Sequence, residues 1–312
     1  MKDIYKVKKI IILIYVIGAM GFYNSCSINK MAAKAVSKSF SGGGEAVFTA
    51  DDDPLLVKDA LPLLLKINEM LINNDPDNHE LKASAGKLFI IYSNLFIQTP
   101  ADMLDYTEWK KQSEMYARAK KMYIRGCGYL KESIEIKHKI KIDLSDKKSI
   151  ETDYAESDGD SLFWLGGGLM SAITIDLTDP HLAPLRNTAI ELMFKAYSLD
   201  PDMGNGALHE YFLRYYASIP ESMGGSLEKA EYHFKKALEL SEGSRVSPYI
   251  AYASSVSVKN QSREGLEEFK KMLETAMKLD IDSYPENRLE NTIMKQKAAW
   301  YLENIDNFFL VD

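Results

Sequence analysis

Residue types that carry catalysis are present in this chain, but they do not stand at catalytic spacings. The five histidines are far apart, the nearest two being His209 and His233, so no pair places two metal ligands on one helix face. His209-Glu210 begins like the helix of a zinc protease, but Leu213 stands where the second histidine would be. The histidines therefore predict neither a metal site nor a zinc hydrolase.

Three further short motifs are incomplete in the same way. The glycines at 166–168 lack the Lys-Ser/Thr of a phosphate-binding loop, and the segment 224–226 lacks the second glycine of a nucleophile elbow. Residues 158–160 offer two acids, too few for a calcium cage. We instead predict that the glycines at 166–168 form a close helix–helix contact and that residues 224–226 cap a helix from Leu227 to Leu240. Residues 158–160 are predicted to lie in a solvated loop. We expect no enzymatic activity, cofactor or metal.

The N-terminus has the layout of an export signal. A basic start precedes an apolar run from Ile10 to Met20, which is shorter than the roughly 20 residues of a membrane span. The next residues, Tyr23-Asn24-Ser25-Cys26, resemble a bacterial lipobox, with Tyr23 in place of the usual leucine. We predict that residues 1–25 are removed and that Cys26 is acylated. An uncleaved anchor with an incidental cysteine is the alternative.

Residues 26–50 are predicted to form a tether between the membrane and the folded body. Glycines at 42–44 make this stretch flexible. One acyl chain binds a membrane only marginally, whereas the two or more chains of a bacterial lipoprotein cysteine give stable attachment. The other cysteine, Cys127, lies in a predicted helix, where it serves as a small buried hydrophobe.

The elements that must position these residues are helical from Asp53 onward. Asp53-Pro54 predicts a capped helix start, apolar residues recur at helical spacing through Ile72, and Asn73 to Pro76 ends the helix. One stretch alternates like a strand but has no evident partner strand: Ile134, Ile136, Ile140, Ile142 and Leu144. We interpret it as a frayed helix end followed by an irregular insertion reaching to about Asp160.

A repeated small–large–small pattern predicts stacked helical hairpins. The copies are Ala119-Tyr123-Gly126, Ala189-Met193-Ala196, Ala230-Phe234-Ala237 and a weaker Gly265-Phe269-Met272. This is the face of the second helix of a tetratricopeptide repeat, where small residues let the paired helix approach closely. Each hairpin needs neighbours to bury its apolar face. The predicted fold is all-α, a tetratricopeptide-like hairpin array over residues 51–312, and a plain antiparallel bundle is the alternative.

The formal net charge of -7 argues against some partners. Removing residues 1–25, which carry four lysines and one aspartate, makes the charge more negative still. An acidic surface repels phosphate backbones and anionic headgroups, so we expect no nucleic-acid partner and no membrane attraction from surface charge.

Two segments look more specialised than helix packing requires. The segment from Gly204 to Phe212 has two glycines at a helix start, each of which weakens a helix by about 1 kcal/mol. Close backbone approach explains them better than helix propensity does. The segment from Asn291 to Leu302 is a basic, aromatic-ended helix in an acidic protein. We interpret His209 and Trp300 either as packing residues or as residues lining a space between hairpins.

Five segments resemble the T-component of TRAP transporters, a family of periplasmic tetratricopeptide lipoproteins that accompany a TRAP solute-binding protein. They are residues 27–30, 48–61, 163–167, 199–210 and 296–300. Departures from the family pattern are Tyr211, Lys295, Lys297 and the charged insertion from Ile140 to Ser161.

The resemblance implies an accessory role without catalysis. The protein would be lipid-anchored in the periplasm, dock the solute receptor and hand over or store a hydrophobic small molecule, with a homo-oligomer as one option. The candidate lining residues are Trp164, Asn205, His209, Glu210 and Trp300. The alternative function is a tetratricopeptide lipoprotein scaffold for envelope protein assembly.

Overall fold

The computed structural model describes residues 45–311, which are mostly helical and contain no β-strand. The predicted leader and Cys26 lie outside the described residues. None of the described helices is long and apolar enough to span a bilayer. The helices are α1 (Glu45–Thr49), α2 (Pro54–Asn74), α3 (His79–Ser93), α4 (Trp109–His138), α5 (Gly159–Ile175), α6 (Arg186–Leu199), α7 (Ala207–Ser218), α8 (Leu227–Leu240), α9 (Ser247–Ser255), α10 (Arg263–Lys278) and α11 (Arg288–Glu303).

Side-chain caps begin two of these helices as predicted. The Asp53 carboxylate accepts hydrogen bonds from the backbone N–H groups of Leu55 and Leu56, at 2.9 and 3.1 Å, and Pro54 occupies the first turn of α2. The Ser226 hydroxyl accepts from the N–H of Lys229 at 3.2 Å and caps α8. Both caps satisfy donors that a helix start leaves unpaired, which is why the sequence located these helices correctly.

The strand-like stretch is a helix end followed by a loop, as we interpreted it. Ile134 lies within α4, which ends where Lys139 adopts a left-handed conformation with φ 56°. Irregular chain with two short 3₁₀ turns then leads to α5. The Ile142 N–H donates to the Glu135 carboxylate at 2.8 Å, so the loop is fixed back onto α4. The alternating isoleucines therefore lie partly at the end of α4 and partly in the loop that follows it.

The long helices pack as consecutive pairs: α3 with α4, α5 with α6, α7 with α8, and α9 with α10. The small–large–small residues lie on the second helix of each pair, and all are buried except the half-buried Met272. First helices also contact each other, α3 with α5 and α7 with α9. Each pair therefore buries its apolar face partly against the next.

Glycines permit the closest of these helix contacts. A Cβ atom on Gly86 of α3 would lie 2.7 Å from the Gly126 carbonyl oxygen of α4. A Cβ on Gly166 of α5 would lie 2.8 Å from the Met193 sulfur of α6. Both distances are shorter than carbon can tolerate, so the backbones approach closely only because these residues lack side chains. The predicted close contact at 166–168 is confirmed.

The last helix closes the array against its beginning. α11 packs on α10 and also reaches α1 and α2. The Lys297 ammonium lies 2.7 Å from the Asp102 carboxylate, just beyond α3, and the Arg288 guanidinium donates to the Ala50 carbonyl at 3.2 Å. Apolar residues from both ends, such as Leu61 and Met294, belong to one core cluster. The two ends of the described chain are thus held together.

We expect Gly126→Ala to destabilise the protein by about 1–3 kcal/mol, since the added methyl group forces α3 and α4 apart. The matched control is Gly128→Ala on the same helix, where nothing lies within 4 Å of the new Cβ atom. That change should stabilise by about 1 kcal/mol through helix propensity. Urea unfolding of both variants measures the difference, and equal effects would contradict the close α3–α4 contact.

Candidate functional site

A group of neighbouring aromatic rings and histidines lies between α6, α7 and α8, partly buried and partly at the surface. We call it the aromatic–histidine cluster, and it comprises Phe194, Tyr197, His209, Tyr211, Phe212, Tyr215, Tyr216, Tyr232 and His233, which are linked by ring contacts. This cluster is a candidate functional site because its rings surround a buried pair of histidines, His209 and His233.

A left-handed turn positions α7 at this cluster. Gly204, Asn205 and Gly206 have φ values of 69°, 51° and 86°, a conformation that glycine and asparagine tolerate best. A Cβ atom on Gly206 would lie 2.6 Å from the Ala237 carbonyl oxygen of α8. The close backbone approach predicted for this glycine-rich start is therefore confirmed at Gly206.

His209 and His233 form a buried pair inside the cluster. Their Nδ1 atoms are 2.8 Å apart, and the two residues are 1% and 6% exposed. One ring must donate the proton and the other accept it, so the two rings cannot both be protonated at Nδ1. Desolvation lowers the pKa of both imidazoles, and together with neighbouring His209 and Lys229 it lowers that of His233 to about 4.

Glu210, the next residue, points to a different set of helices. Its carboxylate accepts from the Ser247 hydroxyl at 2.7 Å and lies 3.2 Å from the Arg214 guanidinium and 3.4 Å from that of Arg245. Arg245 also pairs with Glu290 of α11 at 2.9 Å. Burial by itself raises the pKa of Glu210, but the two guanidiniums and the hydroxyl outweigh it and lower the pKa. This network joins α7 to α9 and α11.

The five predicted lining residues lie in different parts of the structure. Asn205, His209 and Glu210 lie together at the start of α7, with Asn205 exposed. Trp164 on α5 is half-buried, and its indole N–H donates to the Asp160 carboxylate at 3.1 Å. Trp300 on α11 is half-buried against Tyr301 and Phe308. A shared ligand-binding role for the five stays a prediction.

An open groove lies between two of these groups. It has a volume of about 640 Å³, and its lining includes Asp160, Asp200, Met203 and Gly204. Asp160 is the hydrogen-bond partner of Trp164, and Gly204 adjoins Asn205. The groove therefore brings the Trp164 and Asn205 regions to one surface. Among the described residues, no group of three His, Cys, Asp or Glu side chains could hold a metal ion.

Sequence reasoning missed His233, Arg245 and Ser247, which complete the contacts of His209 and Glu210. A local signal existed only for Arg214, which follows Glu210 at the i, i+4 spacing of a helical ion pair. The other partners come from later helices or the loops before them, so their spacing along the chain carried no signal.

The histidine pair makes stability depend on pH. An unfolded imidazole has a pKa near 6.5, and the folded pKa of both residues is lower. The folded state therefore binds fewer protons, so its stability is complete above about pH 6.5 and is lost as the pH falls towards 4, by on the order of 2 to 3 kcal/mol. Thermal unfolding across this range measures the loss.

His233→Asn should reduce this pH dependence, because its amide retains a hydrogen-bonding group for His209 but does not titrate. The control His181→Asn replaces an exposed histidine and should leave the pH dependence unchanged. An unaltered profile for His233→Asn would contradict the buried neutral pair.

We expect Glu210→Gln to lower the free energy of unfolding by about 3 kcal/mol, since it leaves the buried Arg245 with one carboxylate partner instead of two. Glu239→Gln removes the exposed partner of Lys236 and should cost less than about 1 kcal/mol. Denaturant unfolding of the two variants tests whether Glu210 links the helices. A similar loss of unfolding free energy in both variants would show that Glu210 does not link the helices.

Comparison with known proteins identifies the family. An uncharacterised protein of Treponema pallidum (strain Nichols) is 29% identical over 304 residues, covering 91% of this chain and 93% of that protein. A family model described as TRAP transporter T-component matches residues 50–309, a range that contains α2 to α11 in full. The resemblance noted in the sequence is thereby confirmed, and the chain belongs to the TRAP transporter T-component family.

Proposed function

We propose that this chain is a periplasmic lipoprotein accessory of a TRAP transporter that binds the solute receptor. The observation that carries the proposal is the family match across residues 50–309, nearly all of the described chain. The family is that of a transporter component, so the role is accessory to transport. In this role the chain contributes binding surface, and other subunits supply the energy of transport.

The helix pairing supports a tetratricopeptide-type array as the form of that surface. Four consecutive pairs carry the small–large–small pattern on their second helix, and first helices of successive pairs contact each other twice. Contacts of α11 with α1 and α2 hold the last helix against the first ones. A preformed surface avoids the ordering cost that a flexible one incurs on binding.

The aromatic–histidine cluster supports a hydrophobic small molecule as a further ligand. Burial lowers the pKa of both imidazoles, and the aromatic rings present apolar faces, an environment that suits an uncharged ligand. His209 belongs to this cluster, and the other proposed lining residues are Trp164, Asn205, Glu210 and Trp300. The groove at Asp160 and Gly204 is the proposed entry.

We further propose that Cys26 carries the lipid anchor that holds the protein at a periplasmic membrane face. Mass spectrometry of the mature N-terminal peptide should find an acylated cysteine as its first residue. Cys26→Ser should shift the protein from the membrane fraction to the soluble fraction. An unmodified Cys26 in membrane-bound protein would contradict the anchor and leave receptor binding untouched.

The test of the central proposal is binding to the solute receptor of a TRAP transporter from the same organism. We expect the full chain in mild detergent to bind this receptor with a dissociation constant in the micromolar range or tighter, measured by titration calorimetry. A solute receptor of another transporter class is the control and should not bind. Absence of binding to every TRAP receptor of that organism would overturn the proposal.

A further inference from the structure

Two aromatic side chains are exposed at the turn between α3 and α4. Tyr106 is 85% exposed and Trp109 is 61% exposed. They stand three residues apart across a 3₁₀ turn that leads into α4, so both rings lie on the same side of the chain. We call residues 103–111 the aromatic tip. Since tryptophan is largely buried on average in folded proteins, two neighbouring exposed rings indicate a surface that makes a further contact.

Hydrogen bonds hold the aromatic tip in a fixed shape. The Asp105 carboxylate accepts from the Thr107 N–H at 2.8 Å and from the Thr107 hydroxyl at 2.6 Å. The Gln112 amide donates to the Ala101 carbonyl at 3.0 Å, which joins the start of α4 to the chain before the tip. The two rings are therefore presented in place, and a contact through them incurs little ordering cost.

The aromatic tip lies near the beginning of the described chain. Asp102, just before the tip, pairs with Lys297 of α11 at 2.7 Å. Nine residues earlier in the same helix, Arg288 donates to the Ala50 carbonyl at 3.2 Å. Nine residues of α-helix rise by about 14 Å. The chain that leads back to Cys26 therefore leaves the described residues a short distance from the tip.

This distance is within reach of a membrane anchor at Cys26. The predicted tether runs from Cys26 towards Ala50, and a flexible chain of about 20 residues spans about 25 Å on average. An anchor that already holds the protein at a bilayer makes a second contact intramolecular, so that contact needs little affinity of its own. The place of the tip beside the tether favours a bilayer over a protein as its partner.

The aromatic tip carries no net charge, whereas the chain as a whole is acidic. Asp105 and Glu108 are balanced by Lys110 and Lys111, and the Lys111 ammonium lies 2.9 Å from the Glu108 carboxylate. The tip is therefore not repelled by anionic headgroups. Apolar rings with one polar edge suit the boundary between headgroups and acyl chains, where tryptophan and tyrosine are enriched.

We propose that the aromatic tip is a second membrane contact, in which Tyr106 and Trp109 lie at the headgroup boundary of the bilayer that holds the N-terminus. This inference rests on the proposed membrane anchor. An anchor on a tether leaves the folded body free to turn, whereas a second contact restricts which side of the helical array faces the bilayer. The receptor-binding surface is thereby presented in a restricted orientation.

Fluorescence quenching tests the contact on the full chain, transferred from mild detergent into phosphatidylcholine vesicles with brominated acyl chains. Bromine quenches tryptophan emission only at short range. We expect part of the emission to be quenched, and Trp109→Phe to remove that quenching, because Trp164 and Trp300 are half-buried in the protein. Tyr106→Ser should reduce the quenching of Trp109, since it removes the second ring that holds the tip at the boundary.

Ile124→Ser is the matched control, because it alters an exposed apolar residue of the same helix about 22 Å from Trp109. It should leave the quenching unchanged, and all variants should keep the circular dichroism of the unaltered chain. Quenching that is the same with and without Trp109 would overturn the proposal. So would a shift of Trp109 emission on binding of the solute receptor in detergent without any bromine quenching in vesicles, since this assigns the tip to the receptor.

The experiment separates this contact from the proposed acylation of Cys26. An acylated cysteine and an uncleaved N-terminal anchor both hold the chain at the vesicle, so quenching of Trp109 is expected with either. Mass spectrometry of the N-terminal peptide reads the acylation by itself. An acylated chain whose Trp109 is not quenched would overturn the membrane contact and leave the lipid anchor in place.

Discussion

Close contact between paired helices is the constraint on which the rest of this structure depends. Gly86 lies against Gly126, Gly166 against Met193, and Gly206 against Ala237, and at each place a single methyl group would collide with the opposite helix. Helices that approach this closely bury the large residues beside the glycines without leaving voids. Each pair then has a fixed shape, and successive pairs can stack in only a few ways.

The return of the last helix to the first ones determines where some polar groups are buried. Because α11 returns to α1 and α2, residues far apart in the chain become neighbours, such as Lys297 and Asp102. Charged groups enclosed in this way are stable only when they are paired. Arg245 accordingly has two carboxylate partners, Glu210 and Glu290, and this network connects α7, α9 and α11.

His209 and Glu210 show how one short segment serves two contacts. Adjacent residues on a helix point about 100° apart, so His209 faces α8 while Glu210 faces α9 and α11. The imidazole is held neutral by burial, and the carboxylate is held ionised by two guanidiniums. Both side chains therefore join α7 to neighbouring helices.

Local features of this protein were determined by its sequence alone. The caps at Asp53 and Ser226 and the small–large–small pattern depend on residues within a few positions of one another, and helix geometry converts such spacing directly into a face or an end. Tertiary structure alone decided that His209 meets His233, that Glu210 meets Arg245, and that α11 returns to the first helices. These contacts join residues from different helices, and their choice depends on how all the hairpins stack, which no local spacing encodes.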